Sequence, residues 1–355
     1  MKRIILTGGG TAGHVTPNIA LLPHLKEAGY EVHYIGSYTG IEKTLIEELG
    51  VKYYGISSGK LRRYLSMKNF TDLFRILKGM RQAGKLVKKI KPDVVFSKGG
   101  FVTVPVVRAA GKNKIPTLIH ESDMTPGLAN RLAQKYACKV CCNFPETVKM
   151  IPDGKGVLTG TPIREELKHG DRAAGLNFCG FNTSKPVIMI IGGSLGALRV
   201  NEAVRAILPR LLQDFQIIHI CGQGKTDSSF DNTTGYRQFE YIKEELKDLF
   251  AAADIVISRA GANVICELLA MKKPNLLIPL SAEASRGDQV LNARSFTKQG
   301  FSCMIEEEEL SDNLLYDTIM ALYQDRDKYV KAMEEGGQGD SISTIMALLE
   351  EVRAK

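Results

Sequence analysis

Short apolar runs alternate with helical patterns along the chain of 355 residues. The apolar runs of the first half are RIILT, EVHYIG, PDVVFS, TLIHE and KVCCNF, and helical spacing of apolar residues marks 18–28 and 42–49. Strands that each lead into a helix are typical of a parallel sheet, which binds ligands beyond the carboxyl ends of its strands. The pattern therefore predicts an α/β fold with functional residues in the loops after the strands.

The same order of elements begins again near residue 185. An apolar run, KPVIMII, leads into a glycine turn and a helix, and FQIIHICG, ADIVIS and PNLLIPL follow. Because 355 residues exceed the usual size of one domain, we predict two doubly wound domains that face a cleft. The first would span 1–163 and the second 164–340, and a final helix at 341–355 could pack on either domain.

Charge divides between the two halves. Residues 1–165 hold 26 Lys and Arg against 12 Asp and Glu, a net +14, and the remainder hold 21 against 27, a net −6. Eleven of the basic residues lie between Lys60 and Lys91, where Asp72 is the single acid. Such a patch predicts an anionic partner.

The chain carries no apolar run near the roughly 18 residues of a spanning helix, and its first apolar run is too short for a signal peptide. We therefore expect it to stay in the cytoplasm. Its seven cysteines are predicted to be reduced core thiols. The pair Cys138 and Cys141 has C-x-x-C spacing, but the apolar alternation around it favours a buried strand over a redox or zinc site.

Two glycine turns are candidates for phosphate binding. Gly8, Gly9, Gly10 and Gly13 precede the first helix, and a second set at 192, 193 and 196 precedes the helix of the second half. Such turns let a phosphate approach the N–H groups of a helix start, although packing alone can also require them. No Gly-Lys-Ser/Thr follows, which excludes a Walker loop. One turn per domain favours transfer of a group between two anionic ligands.

Several polar residues are candidates for the chemistry. His14 follows the first turn and could act as a general base, and Glu121, which ends TLIHE, is a second candidate. Glu267 lies on the helix after ADIVIS, where a carboxylate suits ribose or sugar hydroxyls, and Gln289 could also contact hydroxyls. No metal-binding constellation is evident, so Arg164 in the linker is a candidate to neutralise a diphosphate leaving group.

Seven segments together resemble one known family. They are GGGTAGHVTP, KPDVVFSKGGFVTVP, HESDMTPGLANR, GTPIREEL, IGGSLGALRVNEAV, DIVISRAGANVICEL and RGDQVLNA. In this order, from about residue 3 to residue 300, they resemble the MurG family of N-acetylglucosaminyltransferases. The resemblance implies a GT-B fold, two Rossmann-like domains that bind the donor mainly in the second and a membrane-bound acceptor in the first.

The resemblance also implies an activity. GlcNAc would pass, with inversion, from UDP-GlcNAc to the C4 hydroxyl of MurNAc in undecaprenyl-pyrophosphoryl-MurNAc-pentapeptide (lipid I), which gives lipid II of peptidoglycan. No cofactor and no metal would be needed. The enzyme would be peripheral on the cytoplasmic face of the cell membrane, with cell-wall or division machinery as further partners.

Site residues carried over by motif fall into three groups. The donor would contact Thr11, Ala12 and Gly13 on its sugar side, and also Arg164, Ser194, Ile242, Glu267 and Gln289. The acceptor pyrophosphate would contact Gly99, Gly100 and Phe101, and His14 and Glu121 would lie near the reaction centre, with the identity of the base left open. The chain departs from the family pattern at Ser122, Asp123 and Asp288, where some members carry amides. Of the adjacent pair Asp288 and Gln289, only Gln289 therefore carries over.

The resemblance suggests a function for the basic segment at 60–91. Apolar residues recur there at helical spacing among cations, which predicts an interfacial helix on anionic lipid. The membrane-contact residues would be Leu73, Phe74, Leu77 and Met80. For this segment the alternative is an ordinary core helix with a charged outer face. For the whole protein the alternatives are a glycosyltransferase with another acceptor and a nucleic-acid-binding protein, and the absence of a known nucleic-acid module disfavours the latter.

Overall fold

A computed structural model describes residues 1–59, 67–193, 197–282, 287–337 and 339–354, without the side chains of 67–73. The chain divides into two compact units. The first unit holds Met1–Arg164 together with Gln338–Lys355, and the second holds Glu165–Gly337. The division falls one residue beyond the predicted linker boundary, and the end of the chain returns to the first unit.

The first unit is built on a parallel sheet of seven strands. The strands are β1 (Lys2–Thr7), β2 (Tyr30–Ser37), β3 (Lys52–Ile56), β4 (Val94–Ser97), β5 (Thr117–Glu121), β6 (Lys139–Cys142) and β7 (Gly156–Leu158). They lie in the order β3-β2-β1-β4-β5-β6-β7. The direction of winding reverses between β1 and β4, and in open α/β sheets such a reversal opens a crevice at the carboxyl ends of the strands.

Helices connect these strands. They are α1 (Thr16–Glu27), α2 (Ile41–Glu47), α3 (Met67–Ile90), α4 (Thr103–Lys112), α5 (Leu128–Ala133) and α6 (Pro145–Met150). One face of the sheet packs against α1, and the other face packs against α3 and α4 through Ala83, Val87 and Val106. Both faces of the sheet are therefore covered, which explains why its strands read as continuous apolar runs.

The second unit repeats the plan with six parallel strands. They are β8 (Val187–Ile191), β9 (Gln216–Ile220), β10 (Tyr236–Phe239), β11 (Ile255–Ser258), β12 (Asn275–Leu277) and β13 (Cys303–Met304), in the order β10-β9-β8-β11-β12-β13. The helices are α7 (Arg172–Cys179), α8 (Leu198–Ala206), α9 (Leu208–Asp214), α10 (Leu246–Ala252), α11 (Ala262–Ala270), α12 (Asp288–Lys298), α13 (Asp312–Gln324) and α14 (Arg326–Gly336). Here the winding reverses between β8 and β11.

The last helix, α15 (Ser341–Ala354), completes the core of the first unit. Its buried residues Ile342, Ile345, Leu349 and Val352 join the cluster formed by β1, β2 and α1. A polar contact at the rim adds to this packing, because the Tyr30 hydroxyl donates to Glu350 Oε1 over 2.7 Å. Since α15 covers one face of the first sheet, that unit needs both ends of the chain.

The predicted βα alternation and the two doubly wound sheets are confirmed. The cysteine pattern is a strand, as predicted, with Cys141 and Cys142 buried, although Cys138 is exposed. Four short strands, β3, β7, β10 and β13, have no counterpart in the predicted pattern. All four are the edge strands of the two sheets, and polar residues or glycine interrupt their apolar residues, as in KYYGI of β3 and YRQF of β10. Among the described residues, no helix has the length and apolar content needed to cross a bilayer.

Candidate active site

Two glycine loops meet where the winding of the first sheet reverses. Gly8–Gly10 follow β1 and Lys98–Gly100 follow β4. A Cβ atom on Gly100 would lie 2.3 Å from the carbonyl oxygen of Gly9, and Gly100 has φ of +92°. Both observations require glycine at this position, because the two backbones touch and the conformation is strained for any side chain. The two loops therefore form one backbone cradle.

His14 stands at the edge of this cradle with a defined tautomer. Its Nδ1 lies 3.1 Å from the carbonyl oxygen of Gly9 and 3.2 Å from Thr11 Oγ1. A carbonyl oxygen only accepts, so Nδ1 carries the proton and Nε2 presents the lone pair. Burial and the nearby charge of Lys98 lower the pKa of His14 to about 4. The imidazole is therefore neutral at neutral pH and able to accept a proton.

Sequence reasoning missed Glu42, which lies beneath the first loop. It is fully buried, and its Oε2 accepts from the N–H of Gly10 over 3.2 Å. Its Oε1 accepts from the N–H and the hydroxyl of Ser37 over 3.0 and 2.6 Å. The sequence offers no sign of this role, because Glu42 reads there as one acid in the first turn of an amphipathic helix.

Lys98 brings a buried cation to the second loop. Its side chain is 1% exposed, and Nζ contacts His120 Nδ1 at 2.8 Å and the hydroxyl of Ser122. His120 Nε2 donates to the carbonyl oxygen of Gly160 over 2.8 Å, so its Nδ1 accepts from Lys98. Burial and Lys98 hold the pKa of His120 well below its usual range. The site thus contains a positive charge beside two neutral imidazoles.

Glu121 is placed differently from His14. Its Oε2 accepts from the N–H of Gly127 and from Asn130 Nδ2, both over 2.9 Å, and its Oε1 accepts from the N–H of Asp123 over 3.2 Å. Burial raises the pKa of its carboxyl group. These contacts fix the loop at 122–127, so the geometry gives Glu121 a structural task. Asn130, which lies in the motif HESDMTPGLANR, also donates to the carbonyl oxygen of His120 over 3.0 Å, a contact that the motif alone does not indicate.

The cradle opens into a cavity of about 640 Å³. Its wall includes Thr11, His14, Tyr38, Arg75 and Phe101. The volume lies in the range of small-molecule sites, and Arg75 adds a cation from α3. Of the sequence-predicted residues, the structure thus brings Thr11, His14, Gly100 and Phe101 together at one cavity, with Gly99 buried in the loop beside them.

Helix α3 presents a mixed surface of apolar and basic residues. Phe74 is 71% exposed and Leu77 is 50% exposed. They line one groove with Lys78, Arg81 and Lys85. Met80 is half-buried, and its Sδ accepts a hydrogen bond from Arg108 on α4, so its thioether does not belong to this surface. The side chain of Leu73 lies outside the described residues.

In the second unit the described candidate residues follow β10, β11 and β12. Glu267 is half-buried on α11, which begins directly after the loop that follows β11. Gln289 Oε1 accepts from the N–H of Leu280 over 3.0 Å, and Ile242 is buried after β10. Ser194 lies outside the described residues, and Arg164 is the last residue of the first unit's main segment. Ala12 and Gly13 belong to the 3-10 turn of the first unit that ends at His14.

Comparisons with known proteins agree with this architecture. Residues 4–142 match the glycosyltransferase family 28 N-terminal domain, and residues 187–346 match the family 28 C-terminal domain. A protein of Lachnospira eligens named UDP-N-acetylglucosamine--N-acetylmuramyl-(pentapeptide) pyrophosphoryl-undecaprenol N-acetylglucosamine transferase is 66% identical over 99% of both chains. A protein of the same name from Lachnoclostridium phytofermentans is 64% identical over the full length of both.

Solved structures show the same fold. The crystal structure of Acinetobacter baumannii MurG superposes with a TM-score of 0.77 at 25% identity, covering 99% of this chain and 100% of that one. A glycosyltransferase of kitacinnamycin superposes with a TM-score of 0.74 at 15% identity, over 99% of this chain and 98% of that one. The second likeness shows the fold alone.

Proposed function

The chain belongs to glycosyltransferase family 28, and from that membership we propose that it transfers GlcNAc from UDP-GlcNAc to the C4 hydroxyl of MurNAc in undecaprenyl-pyrophosphoryl-MurNAc-pentapeptide. The product is lipid II of peptidoglycan synthesis. The observation that carries the proposal is the 66% identity, over 99% of both chains, to a relative whose name states this transfer.

The reaction is a single in-line displacement. The acceptor O4 forms a bond to the anomeric carbon of GlcNAc, the bond from that carbon to the diphosphate oxygen breaks, and UDP leaves with the bonding pair. His14 Nε2 takes the proton of the acceptor hydroxyl. The choice of His14 is supported by its neutral, Nδ1-protonated imidazole at the cavity wall. Glu121 holds the neighbouring loop instead of the proton, because its contacts tie it to backbone and to Asn130.

The acceptor binds to the first unit. Its pyrophosphate meets the loop of Gly99, Gly100 and Phe101, where two consecutive glycines with positive φ allow the backbone to turn N–H groups towards an anion. Lys98 supplies positive potential behind the loop, and Arg75 supplies it across the cavity. The sugar then occupies the cavity beside His14 and Thr11.

The donor binds mainly to the second unit. Ile242 contacts uracil through its main chain, Glu267 accepts hydrogen bonds from the ribose hydroxyls and Gln289 contacts GlcNAc. Arg164 and the turn that includes Ser194 hold the diphosphate, and residues 11–13 approach the sugar. The proposal is supported by the position of α11 after β11, where doubly wound sheets bind nucleotides.

The enzyme works as a peripheral protein on the cytoplasmic face of the cell membrane. The surface of α3 supports this, because Phe74 and Leu77 are exposed among cations that would each gain about 1 kcal/mol near anionic lipid. Replacing both apolar residues with Ser is expected to cut binding to phosphatidylglycerol vesicles about tenfold or more. The matched control replaces Phe178 and Leu314, exposed in the second unit, and equal binding by the two double variants would contradict the membrane surface.

The activity is tested by UDP release from UDP-GlcNAc and a lipid I analogue, with EDTA present and UDP-GalNAc as a competing donor. We expect release that requires the analogue and prefers UDP-GlcNAc. Turnover with other acceptors but not with lipid I would overturn the assignment to peptidoglycan synthesis. A His14→Ala variant that still binds UDP yet retains full turnover would remove His14 from the mechanism.

A further inference from the structure

The buried carboxylate of Glu42 touches the same peptide group that orients His14. The carbonyl of Gly9 accepts from His14 Nδ1 over 3.1 Å. The N–H of Gly10, which belongs to the same peptide unit, donates to Glu42 Oε2 over 3.2 Å. The imidazole, the Gly9–Gly10 peptide and the carboxylate are therefore linked in series.

In this series, polarisation passes from the Glu42 carboxylate through the peptide to the imidazole of His14. A carboxylate that accepts from a peptide N–H polarises the peptide and makes its carbonyl oxygen a stronger acceptor. A stronger acceptor favours the Nδ1–H tautomer, and it stabilises the imidazolium that forms when Nε2 gains a proton. The arrangement matches the logic by which a catalytic histidine is held by an acidic partner, with one peptide unit inserted between the two.

The carboxylate is held firmly enough for this task. Ser37 donates to Glu42 Oε1 through its N–H and its hydroxyl. A Cβ atom on Gly9 would lie 2.5 Å from Glu42 Oε1, and one on Gly40 would lie 2.1 Å from Oε2. The carboxylate thus fills the space that side chains at these glycines would take, which explains the choice of glycine at both positions.

Other charged and titratable groups surround the series. Lys98, after β4, opposes protonation of His14, whereas Glu42, on α2, favours it. Tyr34 on β2 and Tyr53 on β3 lie near Glu42, and burial raises the pKa of each above its usual range, so both remain neutral. Arg75 of α3 lines the same cavity. Glu42 is thus the acid whose charge favours the protonated form of His14 in the described surroundings.

We propose that Glu42 is a positioning residue that acts through the Gly9–Gly10 peptide, fixing the tautomer of His14 and stabilising the imidazolium formed during transfer. The inference rests on the proposed function, in which His14 takes the acceptor proton. No contact of Glu42 with either substrate is required. Its effect should therefore be seen in turnover and pH dependence and not in binding of the donor.

The test compares Glu42→Gln with Glu47→Gln in the full-length enzyme. Glu47 is an exposed acid at the end of the same helix, so the control removes a charge without touching the loop. Turnover of UDP-GlcNAc and the lipid I analogue is measured from pH 2.5 to pH 8, a range that contains the acid limb expected from a His14 pKa of about 4. Thermal unfolding and the affinity for UDP report whether each variant is intact.

For Glu42→Gln we expect kcat to fall about tenfold and the acid limb of kcat/KM to move about one unit to lower pH. Removing the carboxylate makes the imidazolium less stable, so His14 loses its proton at lower pH and is also a weaker base. Glu47→Gln should leave kcat and the acid limb unchanged. A fall in kcat with an unmoved acid limb would mean that Glu42 only supports the loop, and would overturn the inference.

Two further measurements keep the inference separate from the proposed function. If Glu42→Gln fails to fold, Glu42→Asp keeps the charge at a greater distance, and an acid limb that it leaves unmoved counts against the series. In the unmodified protein, 15N spectra of His14, identified by its loss in His14→Gln, should show the Nδ1–H tautomer, and the Nε2–H tautomer would refute the geometry. Full turnover by His14→Ala would instead refute the proposed base.

Discussion

Replacing Gly100 with Ala should disable the acceptor side of the enzyme while leaving the donor side intact. The added methyl would lie 2.3 Å from the carbonyl oxygen of Gly9, although real Cβ atoms essentially never come within 3.0 Å. The two loops must therefore separate by about 0.7 Å, and the φ of +92° adds strain of about 1–3 kcal/mol. The displaced carbonyl is the one that accepts from His14 Nδ1.

A displacement near 1 Å in a positioning group can lower the rate about 100-fold, which corresponds to about 2.7 kcal/mol of transition-state stabilisation. We expect kcat/KM for the lipid I analogue to fall by that factor in the UDP-release assay. The affinity for UDP, measured by calorimetry, should change less than about twofold, because no donor contact of the second unit is altered.

The control is Gly84→Ala in the middle of α3. A Cβ atom there meets nothing within 4 Å, and an alanine in a helix is worth about 0.5–1 kcal/mol relative to glycine. This variant should keep full activity and unfold at a slightly higher temperature. If Gly100→Ala retained more than a third of the unmodified kcat/KM, the proposed meeting of the two loops would not govern the position of His14.

Three further outcomes follow from the structure. Leu349→Ala, which removes a fully buried side chain of α15, should destabilise the first unit by about 2–5 kcal/mol in denaturant unfolding, and a change below about 1 kcal/mol would contradict the packing of α15. Burial and Arg205 lower the pKa of His219 to about 3. The stabilisation that neutral His219 gives the folded state is therefore complete above its ordinary pKa of 6.5 and is lost as the pH falls from there towards 3. His219→Gln should make the free energy of unfolding less dependent on pH in that range. Glu267→Gln should raise KM for UDP-GlcNAc about tenfold with KM for the acceptor unchanged, and the opposite pattern would move Glu267 out of the donor site.

The fold followed from the sequence because its strands are buried on both sides. Strands such as β1 and β8 are continuous apolar runs between polar loops, and each leads into a glycine turn. Their presence and their succession along the chain could therefore be predicted. The short strands at the edges of the sheets could not be predicted from the sequence. β3 reads KYYGI and β10 reads YRQF, so polar residues or glycine interrupt the continuous apolar run that marks the central strands.

Only part of the candidate site could be predicted from the sequence, for a different reason. His14 and Gly100 belong to motifs that are contiguous in sequence, so pattern and resemblance both find them. Glu42 acts on Gly10 from a distance of 32 positions. A residue that serves the site only through another residue's backbone carries no local signature, and the fold has to be known before its carboxylate can be assigned.

The charge asymmetry bears on how the two substrates are held. The first half, at +14, is proposed to meet an anionic membrane and a pyrophosphate, and there net charge and local contacts act in the same direction. The remainder, at −6, is proposed to hold most of a donor that is itself anionic. Long-range attraction therefore cannot explain donor affinity, which has to come from short-range contacts: backbone N–H groups at glycine turns and helix starts, together with a few directed side chains. Because a second unit of negative net charge also repels an anionic lipid surface, the same asymmetry favours an orientation in which the first unit faces the membrane.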